Sequence, residues 1–202
     1  MPRPPDPAKR LDLLRRVRGY VLDHGLSDLS LRPLARAVGT SDRMLLYYFV
    51  TKERMVAEAL ALEEQRPLIR LRLLLEQAGD PPRDAAALRR TVERAWRQFG
   101  VPEMRAVLPL YLEMMTTSVL HPERYGPVMR EVLGGWTDLL CGLLSGLGLP
   151  AARARTEATL LVDGMFGLLV APLADGDRER ADRAFTLLLD RLEPGWRAAA
   201  PA

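Results

Sequence analysis

Apolar residues recur at three- and four-residue intervals along nearly the whole chain. Leu13, Leu14, Val17, Tyr20 and Val21 make the first stripe, flanked by Arg15, Arg16 and Arg18, with Gly25 as a stop. Leu88, Val92, Ala95, Trp96 and Phe99 make a second, opened by Asp84 and closed by Gly100. Val107, Leu108, Tyr111, Leu112 and Met115 follow, with a kink expected at Pro109. Beyond Pro122 the pattern continues through Val128, Val132, Trp136, Leu139, Leu143 and Leu147, with irregularities expected at Gly126-Pro127 and Gly134-Gly135. Two further helices are predicted over about 151–173 and 177–192. Two-residue alternation is never sustained and no repeat of fixed period appears, so the predicted fold class is all-α.

Helix punctuation is densest in the first quarter. Ser30 is placed to cap a helix starting at Leu31, with Leu29 and Leu34 in hydrophobic-staple register and Pro33 in the first turn. Gly39 follows as a stop, Ser41 caps a second short helix through Tyr48, and Thr51 caps a third. Helices of two turns do not persist alone, and Leu34, Ala35, Val38, Leu45 and Phe49 offer them a common apolar centre. Two short helices joined by the tight turn Val38-Gly39-Thr40 form a helix-turn-helix pattern, whose second helix can enter a DNA major groove. Leu45 faces inward on this reading, leaving Asp42, Arg43, Met44 and Tyr47 to meet base edges. Arg43 suits guanine, Asp42 suits the cytosine amine, and Met44 suits a thymine methyl.

Charge placement sharpens this picture. The net charge is +3, but residues 1–55 hold eleven basic against six acidic side chains, while the remaining 147 hold 18 against 20. A basic N-terminal quarter on a near-neutral body fits a polyanion-binding module on a carrier. Lys52 falls at the first position of a helix, where the macrodipole disfavours a cation, so an anion such as a DNA phosphate is expected there. Tyr47, Tyr48, Thr40 and Ser41 can add neutral phosphate contacts.

The run from Leu29 to Ser41 (LSLRPLARAVGTS), followed by Leu45 to Glu53 (LLYYFVTKE), resembles the N-terminal domain of TetR-family transcriptional regulators. The resemblance implies a helix-turn-helix DNA-binding domain over residues 1–56 and a helical ligand-binding and dimerisation domain over 57–202. It further implies a homodimer on a pseudo-palindromic operator in double-stranded DNA, acting as a repressor that a small, largely apolar effector releases. Thr40, Ser41, Asp42, Arg43, Met44, Tyr47, Tyr48 and Lys52 map by similarity to the DNA-facing surface, and Arg10 to a phosphate contact. The chain departs from the family at Leu46, where a phosphate-contacting tyrosine is usual, and at Arg43, where a small residue is common. Dimerisation is expected through the last two long helices, on stripes containing Ala158, Val162, Met165 and Leu169 and Ala181, Phe185, Leu188 and Leu192, with Gly164 and Gly167 admitting a partner helix.

The effector site is expected among the aromatic and methionine-rich positions Trp96, Phe99, Met104, Leu108, Tyr111, Met114, Met115, Trp136, Leu140 and Met165. Glu113 lies among apolar neighbours and needs a partner, either a cationic ligand or an internal arginine; Asp163 calls for one too, as a dimer-interface hydrogen bond. Catalysis and cofactors are not expected. His24 and His121 read as helix-end residues, Cys141 as packing, and no metal-ligand spacing, phosphate loop or nucleophile elbow occurs. One cysteine, no apolar leader after Met1, and uninterrupted apolar runs shorter than roughly 18 residues lead to the expectation of a cytoplasmic protein without a membrane span. The competing classes are an activator of the same fold and a helical protein whose basic end binds an acidic protein partner.

Overall fold

A computed structural model describes residues 6–60, 62 and 81–199, apart from the side chain of Glu103. The described residues contain nine α-helices: α1 Pro7–His24, α2 Leu31–Ala37, α3 Asp42–Phe49, α4 Lys52–Leu60, α5 Ala85–Gln98, α6 Pro102–Leu120, α7 Pro122–Gly146, α8 Ala151–Asp175 and α9 Arg178–Ala199. They include no strand, as the apolar periodicity requires.

Two compact units emerge. One gathers α1 to α4 with Arg105–Met129; the other gathers α5, Met104 and residues 130–199. Packing therefore groups residues 105–129 with the N-terminal helices, a division drawn differently from the boundary expected at residue 56.

In the first unit α1 packs on α4 and α2, while α3 packs on α2 and α4. Val17, Val21, Leu34, Leu45, Phe49, Val56 and Ala59 lose essentially all contact with water there. Asp6 caps α1, accepting from the Ala8 N–H at 3.0 Å, and Pro7 at the first helical position has no N–H to satisfy. Gly25 ends α1 with φ near +73°, a conformation that favours glycine. Arg10 is not free for a phosphate: it pairs with Glu58 and lies over the Phe49 ring at 5.1 Å, so it ties α1 to α4 and α3.

In the second unit α9 packs on α8 and α5. Asp84 caps α5 through the Ala87 N–H at 2.7 Å. Glu193 on α9 is buried, and Arg89 on α5 meets it at 2.9 Å while also reaching Glu93 and Asp190. The Arg89 guanidinium holds the Glu193 carboxyl below its usual range. The glycines and prolines within α6 and α7 do not break those helices. Nor does Pro194 end α9, which runs to Ala199 because Trp196, beyond the proline, is fully buried and donates to Glu157 at 2.5 Å.

The two stripes expected to meet a partner subunit are mostly occupied within the chain. Ala158, Val162, Met165 and Leu169 on α8 and Ala181 and Phe185 on α9 are buried in the unit's own packing; Leu188 and Leu192 are half-buried. A Cβ at Gly164 would stand 3.0 Å from the Leu188 side chain, so this glycine admits α9 of the same chain, whereas a Cβ at Gly167 would meet open space. The outward faces are different ones. Leu160, Asp163, Gly167 and Val170 line one side of α8, and Arg183, Leu187 and Asp190 line one side of α9. Taken as a whole helix, α8 is long and apolar enough to cross a membrane by length and composition, a property its short uninterrupted runs had concealed.

Candidate DNA-binding surface

The first unit builds the candidate surface from local hydrogen bonds. Ser41 caps α3, its hydroxyl accepting from the Met44 N–H at 3.2 Å, and Thr51 caps α4 through the Arg54 N–H at 3.1 Å. Gly39 takes φ near +73° and the Thr40 N–H closes the turn on the Ala35 carbonyl at 2.8 Å. Ser30 behaves differently from expectation: its side chain makes no cap bond, and α2 instead starts on the Leu34 N–H to Ser30 carbonyl bond at 3.3 Å.

α3 is sharply divided. Leu45, Tyr48 and Phe49 are buried, while Arg43, Leu46, Tyr47 and Val50 are exposed. The exposed positions follow the i, i+3, i+4, i+7 spacing of a single helical face. Leu46, Tyr47 and Val50 expose 41%, 46% and 67% of their surface, so large apolar groups stand out on this face. In the sequence Leu46 stands out only as a departure from the family's usual tyrosine, and Val50 only as a staple-like apolar residue before α4; both stand on this exposed face.

Tyr48 is corrected by the same geometry. Only 9% exposed, it stands edge-on to Tyr47 at 5.3 Å and tilts against Phe49 at 6.1 Å. Consecutive helical side chains diverge by about 100°, so Tyr47 and Tyr48 do not share a face. Asp42 is half-exposed; its carboxylate accepts the Arg43 N–H at 2.9 Å and faces Arg32 at 3.9 Å. Met44 and Thr40 are half-buried at the edge of this surface, and Ser41 is exposed.

Lys52 opens α4 as expected, but its amine donates to the Leu29 carbonyl at 2.8 Å. The cation thus has a partner inside the fold, pinning the start of α4 to the chain leading into α2, and an outside anion is no longer needed to explain it. Two of its three N–H donors remain.

Among the described residues, Glu113 is held by backbone and hydroxyl donors and not by an arginine. Its carboxylate accepts the Leu26 N–H at 3.0 Å and the Ser27 hydroxyl at 2.5 Å, joining α6 to the turn between α1 and α2. Beside it lies a polar cavity of about 310 Å³ that also borders Lys52, Glu53, Thr117, Arg124 and Tyr125.

The other expected effector residues divide between the units. Leu108, Tyr111 and Met115 belong to the first, with Leu108 buried and the other two half-buried; Met114, also there, is fully buried. In the second, Phe99 meets Trp136 at 5.9 Å and Phe166 at 6.5 Å, and Met104, Leu140 and Met165 are buried. Trp96 is a packing residue: it stacks on Phe185 at 4.3 Å, lies under Arg178 at 4.3 Å and donates its indole N–H to Asp182 at 2.6 Å. Asp163 is exposed on the outward side of α8.

No family model and no curated protein matches the chain. Solved structures do. A transcriptional regulator from Rhodococcus sp. Rha1 superposes with a TM-score of 0.70 at 22% identity, covering 92% of this chain and 96% of that one. A Rhodococcus protein assigned to the TetR family of transcriptional regulators gives 0.67 at 16% identity, covering 92% and 97%. The multidrug-binding protein EbrR, solved with imidazole, gives 0.63 at 23% identity, covering 93% of each chain. Across almost its entire length, the chain has the all-helical fold of the TetR-type transcriptional regulators.

Proposed function

We propose that the protein is a homodimeric, sequence-specific DNA-binding transcriptional regulator, a repressor that leaves its operator when a small effector binds. The observation that carries this reading is the outward face of α3, where Arg43, Leu46, Tyr47 and Val50 stand exposed on a capped two-turn helix with its other side in the core. Such a face suits the major groove: Arg43 reads guanine, and Leu46 and Met44 meet thymine methyls. Thr40, Ser41 and Tyr47 hold phosphates, and Lys52 adds a phosphate contact through its remaining donors. Asp42 tunes the approach to the base edges.

Two copies join through the outward faces of α8 and α9, where Leu160, Val170 and Leu187 are exposed. Their two reading helices then meet half-sites about 34–36 Å apart. The aromatic group of Phe99, Trp136 and Phe166 supports an apolar effector site in the second unit, and likeness to a multidrug-binding protein favours the same reading. A regulator of this kind works in the cytoplasm and performs no catalysis.

The test is footprinting on the promoters flanking its own gene, with affinity measured against salt. A protected pseudo-palindrome, bound far more tightly than random duplex and with steep salt dependence, is expected. Sequence-blind binding would instead favour a basic helical protein with an acidic partner, and transcription that rises on binding would make it an activator.

A further inference from the structure

Glu53, in the first turn of α4, and Arg124, near the start of α7, carry opposite charges and border the same cavity of about 310 Å³. They do not pair with each other, nor with any other described residue. The other two charged groups of the cavity already have partners in the fold: Lys52 gives one of its three donors to the Leu29 carbonyl, and Glu113 accepts from Leu26 and Ser27. Tyr125 is buried against this space. Burial, with the nearby charges of Glu53 and Glu113 outweighing that of Arg124, pushes its phenol up to about 12, so its hydroxyl stays a hydrogen-bond donor at every ordinary pH.

A polar space that keeps two opposite charges apart is matched by a ligand that carries both. We propose that this cavity binds a small zwitterion of the amino-acid type, its carboxylate on Arg124 and the Tyr125 hydroxyl and its ammonium on Glu53. The volume accommodates on the order of ten water-sized groups, enough for such a molecule and too little for a large one. A singly charged molecule satisfies one wall and leaves the opposite charge facing it without a partner, which gives the site its selectivity. The bound zwitterion spans α4 and α7, and so fixes how the helices that carry the reading surface sit on the rest of their unit. That consequence rests on the regulator reading; the binding itself does not.

Calorimetry on the full chain with glycine, β-alanine and 4-aminobutyrate, and with acetate and methylammonium as singly charged controls, tests the site. At least one zwitterion is expected to bind at millimolar affinity or tighter, roughly tenfold better than either control. Glu53→Gln and Arg124→Gln should each weaken that binding about tenfold while circular dichroism and zwitterion-free duplex affinity stay unchanged. Equal binding of zwitterions and controls, indifference to both substitutions, or no saturable binding overturns the proposal. Duplex binding in the same samples separates the two readings. A chain that binds operator but no zwitterion overturns this inference alone, and one that binds a zwitterion but no duplex upholds it and overturns the regulator reading.

Discussion

Glu113 accepts the Leu26 N–H at 3.0 Å across 87 residues of sequence. This bond fastens α6 to the turn that separates α1 from α2. Loss of the carboxylate leaves a part-buried backbone N–H without its acceptor, which costs about 1–3 kcal/mol. Glu113→Ala is therefore expected to lower the unfolding free energy by that amount and to speed hydrogen exchange at Leu26 more than at residues elsewhere in α1. Glu113→Gln keeps one acceptor oxygen and should recover most of the loss. Unchanged exchange at Leu26 in the alanine variant would show that the contact does not persist in solution.

Arg43 and Lys52 should separate reading from anchoring. Arg43 stands exposed on α3, so Arg43→Ala should relax preference at one base position, costing on the order of 1–3 kcal/mol there, without lowering Tm. Lys52→Ala should weaken binding to all duplexes alike and lower the salt slope by about one. Because its amine also holds the Leu29 carbonyl, this variant should lose about 1 kcal/mol of stability as well. Identical profiles for the two variants across a panel of operator mutants would defeat this division of roles.

What the sequence made legible was whatever depends on neighbours close in the chain. The Ser41, Thr51 and Asp84 caps and the Gly39 turn each use partners within a few residues, so residue type and spacing announce them. Ser30 has the same residue type but no cap bond, because residue type supplies only the opportunity. Long-range pairings leave no local trace. Nothing near Glu113 points to Leu26, and nothing near Trp96 points to Phe185 and Asp182. On α8 the pattern shows two apolar stripes, one through Ala158 and Val162 and the other through Leu160 and Val170. Periodicity alone does not say which faces α9; the stripe through Ala158, Val162, Met165 and Leu169 lies inside, and α9 approaches closely beside it at Gly164.

Val50 ends α3 with φ near +68° and ψ near −51°, the centre of a γ-turn that the Thr51 N–H closes on the Phe49 carbonyl at 2.8 Å, and a β-branched residue adopts it only under strain. Its N–H still closes on the Leu46 carbonyl at 2.9 Å, so the turn into α4 holds the residue there. Such strain costs of order 1–3 kcal/mol, and glycine occupies this region without it. Val50→Gly is expected to raise stability by about 1 kcal/mol, since the greater freedom of glycine in the unfolded chain offsets part of the relief. Urea denaturation measures this directly. A midpoint that falls would mean that the valine side chain, although 67% exposed, contributes more than its backbone strain removes.

The proposed subunit contact can be told apart from the chain's own packing by choosing residues from opposite sides of α8. Leu160 and Leu187 are 47% and 55% exposed, whereas Val162 is buried. Glutamate at both exposed positions is tolerated on the surface of the single chain, whereas a dimer through these faces would draw the carboxylates out of water, at a cost of several kcal/mol. The double substitution Leu160→Glu and Leu187→Glu should therefore sediment as a monomer with its helical circular dichroism intact, and its operator affinity should fall with the loss of two-headed binding. Val162→Ala should do the reverse, leaving the assembly dimeric while lowering the unfolding free energy by about 1–3 kcal/mol through the vacated volume. A double glutamate variant that still sediments as a dimer would move the contact away from these faces, and a monomeric parent chain would remove it altogether.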